Sequence, residues 1–180
     1  GTNSATALTV HLWNSADENN AGVYSYTTGI AIGQDDNPVL VGLEQKIGSP
    51  SLYPRAIKFN SLSGEILWNS VFSGEAGHQI AIDFDNNPVI AGKTNQNKDG
   101  FITKLDALTG AVIWQKQFDL GGGYFYDILI NRDGNPVSVG GNFGNPYIAG
   151  STSARAIMLK GDSGEVMWDK TIDPQQFNLQ

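Results

Sequence analysis

One phrase of thirteen residues occurs three times in this chain of 180 residues, and this repetition constrains the fold more than any other feature. Each copy begins with Ile, contains Asn-Pro-Val and ends with Gly, at 30–42, 80–92 and 128–140. A second phrase, Ser/Thr-Gly with Trp four residues after the Gly, follows each copy at 63–68, 109–114 and 163–168. The Asn-Pro-Val steps are 50 and 48 residues long. Such regularity indicates three structurally equivalent units.

Each unit contains four short segments with strand character. In the second unit they are 78–83, 88–92, 101–105 and 111–118, all rich in Val, Ile and aromatic residues and bounded by Gly, Asn, Asp or Pro. No segment shows helical periodicity over ten residues. The Asn and Gly residues before each Pro suit a tight turn, and the Pro then opens the next strand. The sequence therefore predicts an all-β protein.

Four antiparallel strands repeated about every 50 residues predict a β-propeller, whereas β-solenoid repeats are usually shorter. We expect one propeller-like domain over 1–180: an entry strand and loop (1–23), three four-stranded repeats (24–73, 74–119 and 120–173) and a tail (174–180). The entry segment around Trp13 resembles the last strand of a unit. Since closed propellers have roughly four to eight blades, we expect a partial ring that is completed either by self-association or by the remainder of a longer propeller.

Composition restricts the class of partner. A net charge of -7 argues against nucleic acid, because phosphate binding needs a basic surface. No apolar stretch approaches the ~20 residues that span a bilayer. Zero cysteines exclude disulfides and thiolate metal sites. The absence of cysteine fits an extracellular or periplasmic protein and a cytoplasmic one equally, so composition does not locate the chain.

Two phrases resemble known propeller repeats. Residues 105–114, with Asp106, Thr109-Gly110 and Trp114, resemble the tryptophan-docking repeat of quinoprotein-like propellers, although the first copy has Asn60 and the third has Lys160 at the Asp position. The Asn-Pro-Val phrase resembles the SBBP-type propeller repeats of bacterial exported proteins. The resemblance implies a propeller fold in a superfamily of dehydrogenases, assembly factors and scaffolding modules. The dehydrogenases hold a quinone cofactor with calcium and commonly a cysteine pair, which this chain lacks, so no cofactor is predicted.

Residues with catalytic or metal-binding chemistry are sparse. The two histidines, His11 and His78, have no second ligand at zinc spacing, and no nucleophile motif occurs. The Asp-rich segments before Pro88 and Pro136 resemble part of a calcium loop but lack its later bidentate acid, which favours a structural turn and no metal. The sequence therefore favours a non-enzymatic binding or scaffold module of a bacterial exported or surface protein. The alternative is an enzyme of quinoprotein-like or glycan-processing type, with Glu75 and Asp127 as acids in the central opening.

Differences between the copies indicate candidate ligand-binding positions. Aligned residues vary at the start of the first strand, whereas the copies agree on Ile a few residues later. If the first strand is innermost, the variable residues line the rim of the central opening, a common place for propeller ligands. Free drift of surface positions would explain the same variation. The candidates are Tyr26, Thr28, His78, Tyr124 and Tyr126.

The segments between the second and third strands supply the remaining candidates. They span 43–54, 93–99 and 141–153, and the two longer ones carry Tyr53, Phe143 and Tyr147. Long loops on a rigid scaffold commonly form binding sites. Aromatic residues beside Asn and Gly suit a protein or carbohydrate ligand, or they are ordinary surface. Arg55 and Arg155, which follow these loops, are expected to pair with acids across blades.

Overall fold

The computed structural model describes residues 23–94, 99–143 and 152–172, which form three four-stranded antiparallel sheets. In blade 1 the strands are β1 (Val23–Ile32), β2 (Pro38–Lys46), β3 (Leu52–Phe59) and β4 (Ile66–Val71). In blade 2 they are β5 (Ala76–Ile82), β6 (Pro88–Lys93), β7 (Asp99–Leu105) and β8 (Val112–Asp119). In blade 3 they are β9 (Tyr124–Ile130), β10 (Pro136–Phe143), β11 (Thr152–Leu159) and β12 (Val166–Ile172). The predicted all-β propeller architecture is confirmed, and the described residues contain no helix that could cross a membrane.

The strands of each blade pair in chain order, and each blade repeats the same turns. Between the first and second strands, the backbone takes positive φ at Asp36 (58°), Asn86 (64°) and Gly134 (78°). Asn, Asp and Gly tolerate this conformation, which explains why they precede the Pro that opens the second strand. We call the side of the propeller with these turns the turn face, and the opposite side, where β1, β5 and β9 begin, the strand-start face.

Apolar side chains from neighbouring blades form the core. One cluster joins blades 1 and 2 through residues such as Val41, Ile90 and Phe101, and a second joins blades 2 and 3 through residues such as Ile102 and Phe125. β1 lies next to β5, and β5 next to β9. The first strand of each blade is therefore the innermost, as the sequence comparison assumed.

A hydrogen-bond relay links each blade to the next. Within blade 2, the Oδ1 atom of Asn87 accepts the N–H of Ala107 at 2.9 Å. The carbonyl oxygen of Ala107 then accepts both Trp68 Nε1 and Lys58 Nζ of blade 1, each at 3.0 Å. The repeated Asn and Trp of the two phrases therefore meet at the backbone of one residue, Ala107, and Trp68 fills the gap between blades as predicted.

The same relay joins blades 2 and 3. The Gly161 N–H donates to Asn135 Oδ1 at 3.0 Å, and the Gly161 carbonyl accepts Lys104 Nζ at 2.9 Å and Trp114 Nε1 at 3.2 Å. A Cβ atom at Gly164 would lie 2.8 Å from the Trp114 ring. The Gly of the Ser/Thr-Gly phrase therefore makes room for the indole of the preceding blade.

The lysines of the relay are neutralised by acids from the Asn-Pro turns. Lys104 pairs with Asp83 at 2.7 Å, and Lys58 pairs with Asp35 at 2.6 Å. Burial alone would raise the pKa of Asp35, but hydrogen bonds from Lys58 and Asn37 hold this pKa below its ordinary value. Gly33 of blade 1 is at the position of Asp83 in blade 2, so the acid that pairs with the lysine of blade 1 is Asp35, two residues later.

The expectation of long loops between second and third strands is wrong for blade 1. β2 extends to Lys46 and β3 begins at Leu52, because Glu44 and Gln45 pair with Tyr53 and Leu52. Only 47–51 connect them, and Tyr53 lies in a strand. The entry strand around Trp13 and the tail lie outside the described residues.

Candidate functional site

The inner strands carry a β-bulge at the same position in every blade. The pairing register shifts at Thr28 in β1, at His78 in β5 and at Tyr126 in β9, so each of these is the extra residue of a bulge. Bulges redirect side chains and are frequent beside functional sites. These residues, with Tyr26 and Tyr124 at the starts of their strands, form what we call the inner rim.

A glycine on the second strand makes each bulge possible. A Cβ atom would lie 1.7 Å from the Tyr26 carbonyl oxygen at Gly42 and 2.2 Å from the Ala76 carbonyl oxygen at Gly92. At Gly140 it would lie 2.4 Å from the carbonyl oxygen of Tyr124. The last residue of the repeated phrase is therefore Gly because the inner strand approaches it too closely for a side chain. The sequence contained this signal, but the bulge was not predicted from it.

The bulged residues of blades 1 and 2 reach the inner strand of the next blade. Thr28 Oγ1 donates to the Gly77 carbonyl oxygen at 2.6 Å. The His78 ring stacks on Tyr124 with centroids 4.4 Å apart, and the Tyr124 ring meets Tyr126 at 4.6 Å. The structure therefore brings together three of the five rim residues predicted from the sequence in one aromatic row.

The electrostatics of the row favour neutral side chains. Burial lowers the pKa of His78, nearby Lys93 lowers it further, and Glu75 opposes the shift. His78 Nε2 is buried and has no hydrogen-bond partner in the structure. Burial and the neighbouring Tyr124 raise the pKa of Tyr126. The row therefore offers aromatic surface and one unpaired imidazole nitrogen.

The two ends of the rim are asymmetric. Tyr26 of blade 1 occupies the position that Tyr124 has in blade 3, but its side chain is 64% exposed. Within the described residues, no blade lies before blade 1, which carries Tyr26, and none lies after blade 3, which carries Tyr126. Tyr26 is therefore the accessible aromatic ring of the rim.

A groove on the strand-start face lies between blades 1 and 2. Its cavity volume is about 630 Å³, and Tyr53 lies in its wall beside buried Phe72. Its polar wall comes from the ends of blade 2 strands. The side chains that line the groove include Tyr53, Val71, Phe72, Thr94, Asp99 and Gln117.

A second cavity, of about 600 Å³, lies on the turn face between blades 2 and 3. Its acid Asp83 is already used, because Oδ1 accepts the N–H groups of Asp85 and Asn87 and Oδ2 pairs with Lys104. The segment thus forms a turn and an ion pair within blade 2. The described residues contain no group of three acidic or histidine side chains placed to hold a metal ion.

The remaining candidates fall in different places. The backbone of Phe143 ends β10, while its side chain and Tyr147 lie outside the described residues. Arg155 pairs with Asp169 on the adjacent strand of its own blade and also donates to the Asp119 carbonyl oxygen of blade 2. Arg55 pairs with Glu44 of its own blade at 2.5 Å.

The acids of the enzyme alternative have ordinary structural roles. Glu75 pairs with Lys93 at 3.1 Å. Asp127 is exposed on β9, and its Oδ1 accepts the N–H of Ile128 at 2.9 Å. This arrangement does not favour a catalytic pair in the central opening.

Comparisons with known proteins extend these observations. The family model described as outer membrane protein assembly factor BamB matches residues 11–179. The structure of BamB from Moraxella catarrhalis has a TM-score of 0.52 and 16% identity, covering 84% of this chain and 44% of that chain. Acylaminoacyl peptidase from Pyrococcus horikoshii has a TM-score of 0.51 and 13% identity, covering 84% of this chain and 25% of that chain. No curated protein sequence matches significantly. The chain spans less than half of either solved structure, and these likenesses concern the fold.

Proposed function

The chain belongs to the family of the outer membrane protein assembly factor BamB, and from this membership we propose that it is a protein-binding scaffold module. A scaffold needs a rigid frame with accessible contact residues rather than reactive groups. The observation that carries the proposal is the inner rim, where bulges place Thr28 and His78 against the inner strand of the next blade. Aromatic rings are enriched where protein partners bind tightly.

We place the module in the periplasm or on the cell surface of a bacterium. The family name refers to assembly of outer membrane proteins. The acidic charge of -7 and the absence of cysteine are compatible with that compartment. A glycan ligand was the other possibility raised by the aromatic residues, but family membership favours a protein.

A photo-crosslinking amino acid tests the function directly. It replaces Tyr26 on the rim or, as a control, Leu62, which is 95% exposed in the turn between β3 and β4. Purified outer membrane protein precursors are the probe. We expect adducts from position 26 to exceed those from position 62 by at least about 5-fold, since central aromatic contacts contribute 1 kcal/mol or more. Equal adducts from both positions, or binding of oligosaccharides alone, would contradict the scaffold function.

A further inference from the structure

The groove between blades 1 and 2 contains a buried hydroxyl group with no partner. Thr94 is only 6% exposed and lies in the groove wall. Its backbone N–H donates to the Asp99 carbonyl oxygen at 2.9 Å, but Oγ1 makes no hydrogen bond. A buried hydroxyl without a partner carries an energetic cost, because it has lost its hydrogen bonds to water. A ligand in the groove would remove this cost.

The same wall carries an acid, Asp99, that forms no ion pair with any described residue. Asp99 lies directly opposite Asp119 in the β7–β8 pairing, and like charges in this position repel. Two other acids of blades 1 and 2 differ from Asp99 in having a counterion. Glu44 pairs with Arg55, and Glu75 pairs with Lys93. No cation pairs with Asp99 among the described residues. Arg155 lies beside Asp119, so a positive group in the groove would supply the counterion that Asp99 still needs.

The other wall suits an alkyl stem. Phe72 is buried at the base of the groove, where its ring packs edge-on against Phe101 at 5.9 Å. Tyr53 and Val71 are more accessible and stand beside it. Lys and Arg bury their methylene stems on such surfaces and place their cationic heads near acids or ring faces.

We propose that this groove binds the cationic side chain of a lysine or arginine from a partner protein. The inference rests on the proposed scaffold function and specifies the chemistry that its partner presents. The alkyl stem lies along Tyr53 and Phe72, the charged head pairs with Asp99, and an N–H of the head donates to Thr94 Oγ1. A neutral ligand would leave Asp99 without a counterion among the described residues, and an acidic ligand would add a like charge.

The test is an NMR titration of the full chain with a defined probe. The probe is a blocked Gly-Gly-Arg-Gly-Gly peptide, and the control peptide has citrulline, the neutral isostere, in place of arginine. We expect the arginine peptide to shift the amide signals of Thr94, Asp99 and Gly74, and the citrulline peptide to leave them unchanged. Equal affinity for the two peptides, or shifts confined to other blades, would overturn the proposal.

Two variants locate the contact, and one controls for net charge. Asp99→Asn and Thr94→Val are each expected to weaken the arginine peptide at least about 5-fold, because a desolvated charge contact is lost. Thr94→Val removes a hydroxyl that has no partner in the fold, so its thermal stability should be unchanged or higher. Asp133→Asn removes one charge on the turn face and should bind like the wild type. Unchanged affinity in both groove variants would exclude this site.

Different results would contradict the cation-binding groove and the scaffold function. Binding of the arginine peptide in the groove without protein adducts at position 26 would support the groove and contradict the scaffold function. Protein adducts at position 26 with no arginine-specific shifts would overturn the groove alone.

Discussion

At the scale of single residues, the glycine that ends each repeated phrase has a demanding position. Gly92 lies in β6 opposite the bulge of β5, and a side chain there would collide with backbone as well as with Phe101, at 2.6 Å. Backbone yields less readily than the end of a flexible side chain. The position therefore controls how closely the inner strand packs.

We expect Gly92→Ala to lower the free energy of unfolding by about 3 kcal/mol, through overpacking and loss of the bulge. Gly29→Ala is the matched control, because its Cβ would meet only movable side-chain atoms and one carbonyl oxygen, at 3.1 to 3.4 Å. Urea denaturation measures both. Equal losses in the two variants would show that the bulge does not require glycine.

His78 gives the inner rim a pH dependence. Its pKa is lowered in the folded protein by burial and by Lys93, with Glu75 opposing, so the unfolded state binds the proton more readily. The stabilisation from neutral His78 is present above its ordinary pKa of 6.5 and is lost as pH falls through the lower folded value. His78→Phe keeps a ring on Tyr124 but removes the titration. In this window the free energy of unfolding of the wild type should fall with decreasing pH by up to about 1.4 kcal/mol per pH unit more than that of the variant. Identical pH profiles of the two proteins would contradict this.

At the scale of strands and blades, the relay is the same at both interfaces, but blade 3 departs from it. Met158 stands where blades 1 and 2 have Lys58 and Lys104, and Asn131 stands where blade 2 has Asp83. In blade 3 the amide of Asn131 lies 3.7 Å from the Met158 sulfur. A neutral pair thus replaces the ion pair in the blade whose outward side has no described neighbour.

Lys104→Met should destabilise the protein by about 3 kcal/mol, because it leaves the buried Asp83 carboxylate without its cation. Adding Asp83→Asn recreates the neutral pair of blade 3 and should recover much of this loss. A double-mutant cycle in urea measures the coupling. Additive losses would mean that the ion pair contributes nothing beyond its separate side chains.

Features of the fold that depend on neighbouring residues in the sequence were predictable, whereas features that depend on contacts between distant residues were missed. Strands and turns were predictable because Pro38, Pro88 and Pro136 and the neighbouring Asn and Gly residues report on adjacent backbone. The interblade lysines were missed because they do not repeat in blade 3 and their acids occupy different positions. The groove was missed except for Tyr53, because Thr94 and Asp99 become neighbours of Tyr53 only when two blades pack.

At the scale of the whole molecule, the outward side of blade 3 contrasts with its equivalent in blade 2. Leu129 is 67% and Val139 45% exposed, whereas Ala91, the blade 2 residue equivalent to Val139, is fully buried against blade 3. Repeat proteins normally cover such a face with the next unit. We propose that a further blade covers it, from a second copy or from a longer polypeptide.

For the 180-residue chain alone, we therefore expect self-association into a closed ring, most simply a two-fold dimer. An exposed apolar face that includes Leu129 and Val139 favours association, while a lysine on that face would bury an unpaired charge at the interface. Leu129→Lys combined with Val139→Lys should therefore give a monomer. Leu108→Lys, in an 85% exposed turn position outside that face, should associate like the wild type. Sedimentation velocity distinguishes these outcomes, and a compact wild-type monomer of 19.3 kDa in dilute solution would rule out ring closure by self-association.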